Sequence, residues 1–313
     1  MVDAVQKIAV YTTVYPGVEA YLPDWYRSVQ AQTDQEFELW IGLDNVEAEA
    51  VQTLVGTHFE ATWVSSARGD TPAQIRQRSL AQIVKTCDAV VLVDSDDILH
   101  ESRVAAARSA LDKAELYGCA LRLVNQQGRE LRWTFGLPPE ARAEDILPRY
   151  NIFGMSNTAY RSELLRRCLP VPAGVALVDW FLATKAWLLG ARLAFDPVVR
   201  MDYRQHGNNM ARVRFPVSAQ QVTEDTELVR RHFRFILAEE ARNFLPGRLA
   251  QVNDVAAEIE AFQNCVIRNS YQLQCYVEAL NRLNPAPVWW ASVAHPELAP
   301  MWRATLHINY ESC

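Results

Sequence analysis

The residues best suited to chemistry in this chain form a short acidic cluster. Asp94, Ser95, Asp96 and Asp97 directly follow the apolar run 89–93. Three carboxylates within four residues repel one another, so we expect a cation among them, and such hard oxygen ligands suit Mn²⁺ or Mg²⁺. The alternative is a charged loop in which Asp97 caps the following helix, although a cap needs only one aspartate.

The apolar run predicts where this cluster lies. Residues 89–93 are mostly β-branched and too few for a helix, which is typical of a strand buried on both faces of a parallel sheet. Ligands of open α/β sheets bind at the carboxyl ends of the strands. We therefore expect the acidic cluster at a ligand-binding edge.

The N-terminal third of the chain predicts the sheet that forms this edge. We expect strands at Ile8–Val14, Phe37–Leu43 and Thr62–Ser65, with helices at 23–32 and from Thr71 onward. This β-α-β-β-α-β order, completed by the strand at 89–93, indicates an α/β fold with a mostly parallel sheet. The sequence has neither GxGxxG after the first strand nor GxxxxGK[ST] anywhere, which argues against dinucleotide-binding and P-loop proteins.

The helix that starts at Thr71 carries a further candidate. Thr71, Pro72 and Gln74 have the spacing of a capping box with proline in the first turn. Arg76 follows in the same turn, where its cation could meet an anionic ligand. The alternative is an arginine whose stem covers apolar surface while its head reaches solvent.

Several segments resemble, in the same order, those of the family 2 glycosyltransferases of the GT-A fold. They are residues 22–39, Gly69 with Ile75-Arg76-Gln77, the DxD-like Val93 to Asp97, the "ED"-like Val178-Asp179-Trp180, and the "YRxHxxN"-like 203–210. The resemblance covers roughly residues 7–212. It implies a Rossmann-like GT-A sheet with flanking helices, a UDP-, GDP- or dTDP-linked sugar donor, and inverting transfer to a hydroxyl.

The resemblance also implies roles for individual residues on the donor side. Asp96 would be the main metal ligand and Asp97 would orient the metal, while Asp94 would reach the ribose. His206 would complete the metal shell or bind the diphosphate, although a lone histidine is often only a structural hydrogen-bonding residue. The donor-binding set is then Thr13, Asp44, Arg76, Asp94, Ser95 and Asp96.

On the acceptor side, the resemblance makes Asp179 the base that takes the proton of the acceptor hydroxyl. The alternative is that Asp179 only caps the helix that follows it. Segment 151–160 would shape the acceptor pocket, with Gly154, Ser156 and Asn157 joined by Trp180. The acceptor would be a glycan, a lipid-linked molecule or another hydroxyl compound, as in bacterial-type polysaccharide or glycoconjugate synthesis.

Between these halves, residues 119–125 and 129–135 predict a hairpin with a glycine-containing turn. Residues 208–216, with Arg212 and Arg214, predict a mobile loop that closes over phosphates. We expect the catalytic domain to span 1–217, with a nucleotide-binding half at about 1–100 and an acceptor-binding half at about 101–217.

Residues 218–313 predict a helical C-terminal region. At 249–283, apolar residues recur at heptad spacing from Val252 to Leu283, with Asn269 as the one polar intruder. This pattern predicts a long amphipathic helix that either forms a coiled-coil homodimer or packs on the chain's own catalytic domain. The tail carries Trp289, Trp290 and Trp302, which fit packing against that helix or, alternatively, peripheral membrane contact.

Composition narrows the class of protein. The formal charge of −6 speaks against nucleic-acid binding as the main task. The sequence shows neither a membrane-spanning run nor a leader, and its six cysteines form no CxxC pair, so we expect a cytoplasmic protein with reduced thiols.

Two other functions fit part of the pattern. A haloacid dehalogenase-type phosphatase also has a strand that ends in DxD, with Asp94 as nucleophile and Asp96 as acid/base. A non-catalytic GT-A-like scaffold could instead assemble through the C-terminal helix.

Overall fold

A mixed sheet organises the computed structural model, which describes residues 4–137, 140–207, 209, 216–283 and 288–303. The order along the sheet is β3-β2-β1-β4-β8-β6-β9-β5, with β7 paired to β6. The strands are β1 (Ile8–Val14), β2 (Phe37–Leu43), β3 (Thr62–Ser65), β4 (Ala89–Leu92), β5 (Ile98–Leu99), β6 (Leu116–Val124), β7 (Glu130–Phe135), β8 (Thr158–Arg161) and β9 (Leu193–Arg204).

The first four strands are parallel, as expected. Strand β1 pairs with β2 and β4, and β2 pairs with β3. Every residue of β1 and β4 is buried, as expected for strands of a parallel sheet that is covered on both faces. The acidic cluster follows β4 at the carboxyl edge of this half.

The second half of the sheet is mixed rather than parallel. Strand β8 runs antiparallel to both β4 and β6, β5 runs antiparallel to β9, and β6 runs parallel to β9. The predicted hairpin is confirmed as β6 and β7. Gly128 in its turn has φ +74°, a left-handed conformation that glycine adopts without strain.

Helices flank the sheet and then form the C-terminal region. They are α1 (Leu22–Gln30), α2 (Ala48–Val55), α3 (Pro72–Thr86), α4 (Arg103–Leu111), α5 (Ala143–Ile146), α6 (Ser162–Cys168), α7 (Val178–Leu188), α8 (Ala219–Leu237), α9 (Pro246–Phe262), α10 (Ser270–Leu283) and α11 (Pro300–Arg303). The predicted order omitted α2. Because β2 and β3 are parallel neighbours, they need a crossover, and α2 supplies it.

The local signals at the start of α3 are confirmed. The backbone N–H of Gln74 donates to Thr71 Oγ1 (3.3 Å), and that of Thr71 donates to Gln74 Oε1 (2.9 Å), so both halves of the capping box form. The capping role considered for Asp97 is wrong. The next long helix, α4, begins at Arg103 with Ser102 at its N-cap.

The single long helix predicted at 249–283 is wrong. Helix α9 ends at Phe262, a π-helical turn covers Gln263–Ile267, and α10 begins at Ser270. The ring centroids of Phe262 and Tyr276 lie 4.7 Å apart. Residues fourteen positions apart in one straight helix would be separated by about 21 Å, so the two helices fold back on each other.

Six of the ten heptad positions are buried inside this chain. Helix α9 packs against α7, α8 and α11, and α10 packs against α8. A coiled-coil dimer would need this stripe free, so the packing supports the alternative of contact with the chain's own helices. The division into regions 1–217 and 218–313 stays a prediction. The buried heptad residues are Val252, Ile259, Phe262, Val266, Tyr276 and Leu280.

Among the described residues, the structure has no helix with both the length and the apolar character needed to cross a bilayer.

Candidate active site

A cavity of about 430 Å³ lies at the carboxyl ends of β1, β2 and β4. Its size is in the range of small-molecule sites. The structure brings most of the predicted residues together here, which follows from the way parallel strands end at one edge. Those lining the cavity are Thr13, Asp44, Arg76, Asp94, Asp96, Gly154, Ser156 and Asp179.

The three aspartates after β4 form one group. Ligand oxygens of Asp94, Asp96 and Asp97 all lie within 4.8 Å of one another. Asp97 is fully buried and accepts hydrogen bonds from the backbone N–H of Arg204 (2.7 Å) and from Ser156 Oγ. Oxygen donors at this spacing fit a hard divalent cation such as Mn²⁺ or Mg²⁺, so the residues present suit the expected metal.

Asp96 is held by side chains from two other parts of the chain. His206 Nε2 lies 2.7 Å from Asp96 Oδ2, and the hydroxyl of Tyr15 donates to the same oxygen at 3.3 Å. The His206 ring stacks on Tyr21 with centroids 5.0 Å apart. His206 therefore lies where it could either join a metal shell or orient Asp96, and both interpretations remain predictions.

Arg76 supplies a positive charge beside the acidic cluster. Its side chain is 18% exposed and its Nη2 lies 3.4 Å from Asp94 Oδ1, which supports a ligand-facing position over the solvent-reaching alternative. Burial raises the pKa of Asp94 to about 7, opposed by Arg76 and increased further by Asp96. Burial also raises the pKa of Asp97. Because burial disfavours the charged form of a carboxylate, a bound cation would stabilise the ionised forms of these aspartates.

Two predicted donor residues lie at the ends of β1 and β2. Thr13 Oγ1 shares a hydrogen bond with the hydroxyl of Tyr11 (2.9 Å), which fixes its rotamer. The carboxylate of Asp44 accepts from Asn45 Nδ2 (2.8 Å) and lines the cavity. Both side chains can therefore frame a ligand at this edge.

Asp179 contributes a separate carboxylate from the first turn of α7. The N-cap of that helix is Leu177, so the capping alternative for Asp179 is wrong. Asn151 Nδ2 donates to Asp179 Oδ2 at 2.9 Å and sets the orientation of the carboxylate. Burial raises the pKa of Asp179, opposed by the backbone N–H of Trp180 and by the charge of Arg76. A carboxylate with a raised pKa is better matched to accepting a proton near neutral pH.

The predicted acceptor residues divide into two groups. Gly154 and Ser156 line the cavity, and Ser156 Oγ also accepts from the backbone N–H of Asp94 (3.0 Å). Asn157 does not reach it, because its amide is buried and donates to the carbonyls of Cys119 (2.6 Å) and Ile152 (3.0 Å). Asn157 therefore holds the loop before β8 in place instead of lining the predicted acceptor pocket.

Trp180 and Ser95 do not line the cavity either. Trp180 is fully buried, stacks on His232 at 4.0 Å between ring centroids, and donates from Nε1 to the Leu147 carbonyl (3.3 Å). Ser95 is fully buried and donates to the carbonyl of Thr13 (2.8 Å). Both residues stabilise the walls of the site rather than face the cavity.

Four aromatic residues line the cavity that were not predicted as site residues. Tyr15 and Tyr203 flank the acidic cluster, and Trp289 and Trp290 come from the C-terminal tail. Tyr203 could have been predicted from the sequence, since it is the first residue of the "YRxHxxN"-like segment that contains His206. The expected loop at 208–216 lies almost wholly outside the described residues.

No protein-family model and no curated protein matches the chain. Solved structures do match it. TarS 1–349 of S. aureus with UDP is 18% identical, with 87% of this chain and 75% of that chain covered and a TM-score of 0.55. TarS 1–349 with UDP-GlcNAc is 17% identical, with 89% and 92% covered and a TM-score of 0.54.

The mannosyltransferase PcManGT of Pyrobaculum calidifontis, in complex with GDP-Man and Mn²⁺, is 16% identical. In that match 98% of this chain and 88% of the other chain are covered, with a TM-score of 0.55. At such identities the likeness establishes architecture. The chain has the α/β GT-A fold of these glycosyltransferases.

Proposed function

We propose that this chain is a family 2, inverting glycosyltransferase that moves a sugar from a nucleoside-diphosphate sugar to an acceptor hydroxyl. One observation carries the proposal: Asp94 and Asp96 of the acidic cluster line the same cavity as Asp179, whose carboxylate Asn151 orients from a different element. Transfer needs both kinds of group, one for the leaving diphosphate and one for the incoming hydroxyl.

The donor side accounts for the acidic cluster and for Arg76. Asp94, Asp96 and Asp97, with His206, would hold Mn²⁺ or Mg²⁺, which when bound stabilises the negative charge on a departing diphosphate. Arg76 lies beside Asp94 and adds a fixed positive charge. Support for the donor class comes from the structural neighbours, which bind UDP, UDP-GlcNAc or GDP-Man, the last with Mn²⁺.

The acceptor side centres on Asp179. The acceptor oxygen attacks the anomeric carbon and its proton passes to the Asp179 carboxylate, while the bond from that carbon to the diphosphate oxygen breaks. Because attack and departure occur on opposite faces, the anomeric configuration inverts. Asn151 keeps the accepting oxygen in place through its 2.9 Å hydrogen bond.

The wider setting forms part of the proposal. The acceptor is a glycan, a lipid-linked molecule or another hydroxyl compound, in polysaccharide or glycoconjugate synthesis in the cytoplasm. The phosphatase alternative is not favoured, because Asp94 is ion-paired with Arg76 and one of the similar solved structures is a mannosyltransferase with GDP-Man and Mn²⁺. A non-catalytic scaffold would bind no nucleotide, and the experiment below tests for this.

Thermal melting with UDP, GDP and dTDP, with and without Mn²⁺, tests the donor side. A ligand at a hundred times its dissociation constant stabilises the folded state by about 2.7 kcal/mol, a shift of several degrees. We expect a metal-dependent shift with one nucleotide that disappears in Asp96→Asn. Asp179→Asn is the matched variant, which should keep the shift and lose transfer. Absence of any nucleotide shift in the wild type would overturn the proposal in favour of a scaffold.

A further inference from the structure

The C-terminal tail returns to the cavity after α10. Trp289 and Trp290 both line it, and their exposed fractions are only 7% and 8%. The two indoles belong neither to the acidic cluster nor to the residues at the ends of β1 and β2. They therefore mark a part of the site to which the proposed function assigns no ligand.

The tail is fixed in this position by polar contacts from other elements. Ser292 Oγ donates to Asp225 Oδ2 on α8 (2.6 Å), and the hydroxyl of Tyr276 on α10 donates to the Ser292 carbonyl (3.0 Å). Arg149 Nη1 donates to the carbonyl of Ala294 (3.1 Å). The folded-back helices thus serve as a support that holds the two tryptophans at the cavity.

Packing and backbone conformation fix the positions of the two indoles. A Cβ atom at Gly154 would lie 2.6 Å from Trp289 Cη2, so only glycine allows this indole its place. Phe135 and Tyr203 pack edge-on against Trp289, with centroids 5.2 and 5.8 Å away. Trp290 has φ +72°, a strained conformation for a tryptophan that the surroundings must hold.

The lining of the cavity is chemically mixed. Arg76, Asp94 and Asp96 supply charge, whereas Met155 and Leu177 add apolar surface to that of the tryptophans. Asp179 lines the same cavity, so the proposed base and the two indoles can meet one ligand. A ligand here must place a hydroxyl at a carboxylate while it lays apolar atoms on aromatic rings.

We propose that Trp289 and Trp290 form an acceptor subsite for a pyranose ring, and that the acceptor is a glycan. This inference rests on the proposed transferase function. A pyranose has a C–H face that packs on indole rings and a rim of hydroxyls, one of which can point at Asp179. An alkyl chain would remove water from the Asp179 carboxylate and add no donor to the one that Asn151 supplies, which is unfavourable.

Saturation-transfer NMR with methyl glycosides tests the subsite directly. The probes are methyl glucoside, galactoside, mannoside and N-acetylglucosaminide, each measured on the full chain with and without nucleoside diphosphate and Mg²⁺. We expect at least one glycoside to receive saturation mainly on the protons of one ring face. Its affinity should fall about tenfold or more in Trp290→Leu, whereas nucleotide affinity stays within about twofold.

Two further variants keep the result interpretable. Gly154→Ala displaces the Trp289 indole without removing it, and it should weaken glycoside binding in the same way. Trp63→Leu is the matched control, because Trp63 packs on Phe59 (ring centroids 5.5 Å apart) outside the cavity and should leave glycoside binding unchanged.

The outcomes separate this inference from the function on which it rests. Nucleotide binding without binding of any glycoside would overturn the subsite and leave the transferase proposal standing. Binding of octanol in place of the glycosides, or equal glycoside binding in Trp290→Leu, would also overturn it. A third outcome is that the wild type binds a glycoside, Trp290→Leu does not, and neither binds nucleotide. This would support the subsite and overturn the transferase proposal.

Discussion

His206 Nε2 lies 2.7 Å from Asp96 Oδ2, with the His206 side chain only 2% exposed. This pair joins the end of β9 to the acidic cluster after β4. Replacing His206 with alanine removes either a metal ligand or the group that orients one. We expect Mn²⁺ affinity in the presence of nucleoside diphosphate, measured by titration calorimetry, to fall about 10- to 100-fold.

A second histidine–aspartate pair in this chain provides a control for this experiment. His100 Nε2 lies 2.9 Å from Asp202 Oδ1, a histidine–aspartate contact of similar length that does not line the cavity. His100→Ala should leave Mn²⁺ affinity within about twofold. Equal losses in the two variants would show that His206 acts on general stability and not on the metal.

Arg76 should matter for the diphosphate, whereas its neighbour on α3 should not. Arg76 lines the cavity beside Asp94, while Arg78 pairs with Asp70 at 2.7 Å outside the cavity. Because hydrogen bonds to charged groups contribute about 1.5–3 kcal/mol, Arg76→Met should weaken nucleoside diphosphate binding roughly 10- to 100-fold. Calorimetry on Arg76→Met and Arg78→Met measures this, and comparable losses would contradict the assignment.

Asn269 distinguishes the folded-back helices from a continuous coiled coil. Its Oδ1 accepts from the backbone N–H of Gln272 (3.1 Å), and its side chain is exposed. Asn269→Leu therefore removes an N-cap and should destabilise the fold by about 1 kcal/mol. In a coiled-coil seam the same substitution would stabilise it. Urea unfolding of the wild type, Asn269→Leu and the cap-retaining Asn269→Asp decides between the two.

The core of the site was predictable because its signals are local. Asp94 and Asp96 follow a strand that its own composition identifies, and parallel strands bring Thr13 and Asp44 to the same edge. In α7, both Asp179 and Trp180 were predicted as site residues, but only Asp179 lines the cavity. Successive helical residues point about 100° apart, so Asp179 reaches the cavity while Trp180 is buried against His232.

The C-terminal region shows what spacing alone does not determine. Two helices that each bury a stripe at heptad spacing give the same pattern as one long helix, and only the cap at Asn269 marks the break. The arrival of Trp289 and Trp290 at the cavity had no local signal. It depends on long-range contacts such as the isolated bridge between Asn151 and Trp289.

Two buried groups predict opposite dependences of stability on pH. Burial raises the pKa of Asp225, beneath the tail, to about 6, whereas burial lowers the pKa of His232, on Trp180, to about 3. The raised pKa of Asp225 gives stability that is complete below about pH 4 and is lost as pH rises to about 6. The lowered pKa of His232 gives stability that is complete above about pH 6.5 and is lost as pH falls toward 3.

Substituting each group should therefore change the pH profile in opposite directions. Asp225→Asn keeps an acceptor for Ser292 and removes the ionisation, so it should gain up to about 2–3 kcal/mol relative to the wild type as pH rises from about 4 to 6. His232→Phe keeps an aromatic ring on Trp180 and should gain relative to the wild type as pH falls over the same range. Urea unfolding across these pH values measures both differences. Profiles parallel to that of the wild type would show that the two groups titrate alike in the folded and unfolded chains, because only a difference in pKa between those states makes stability depend on pH.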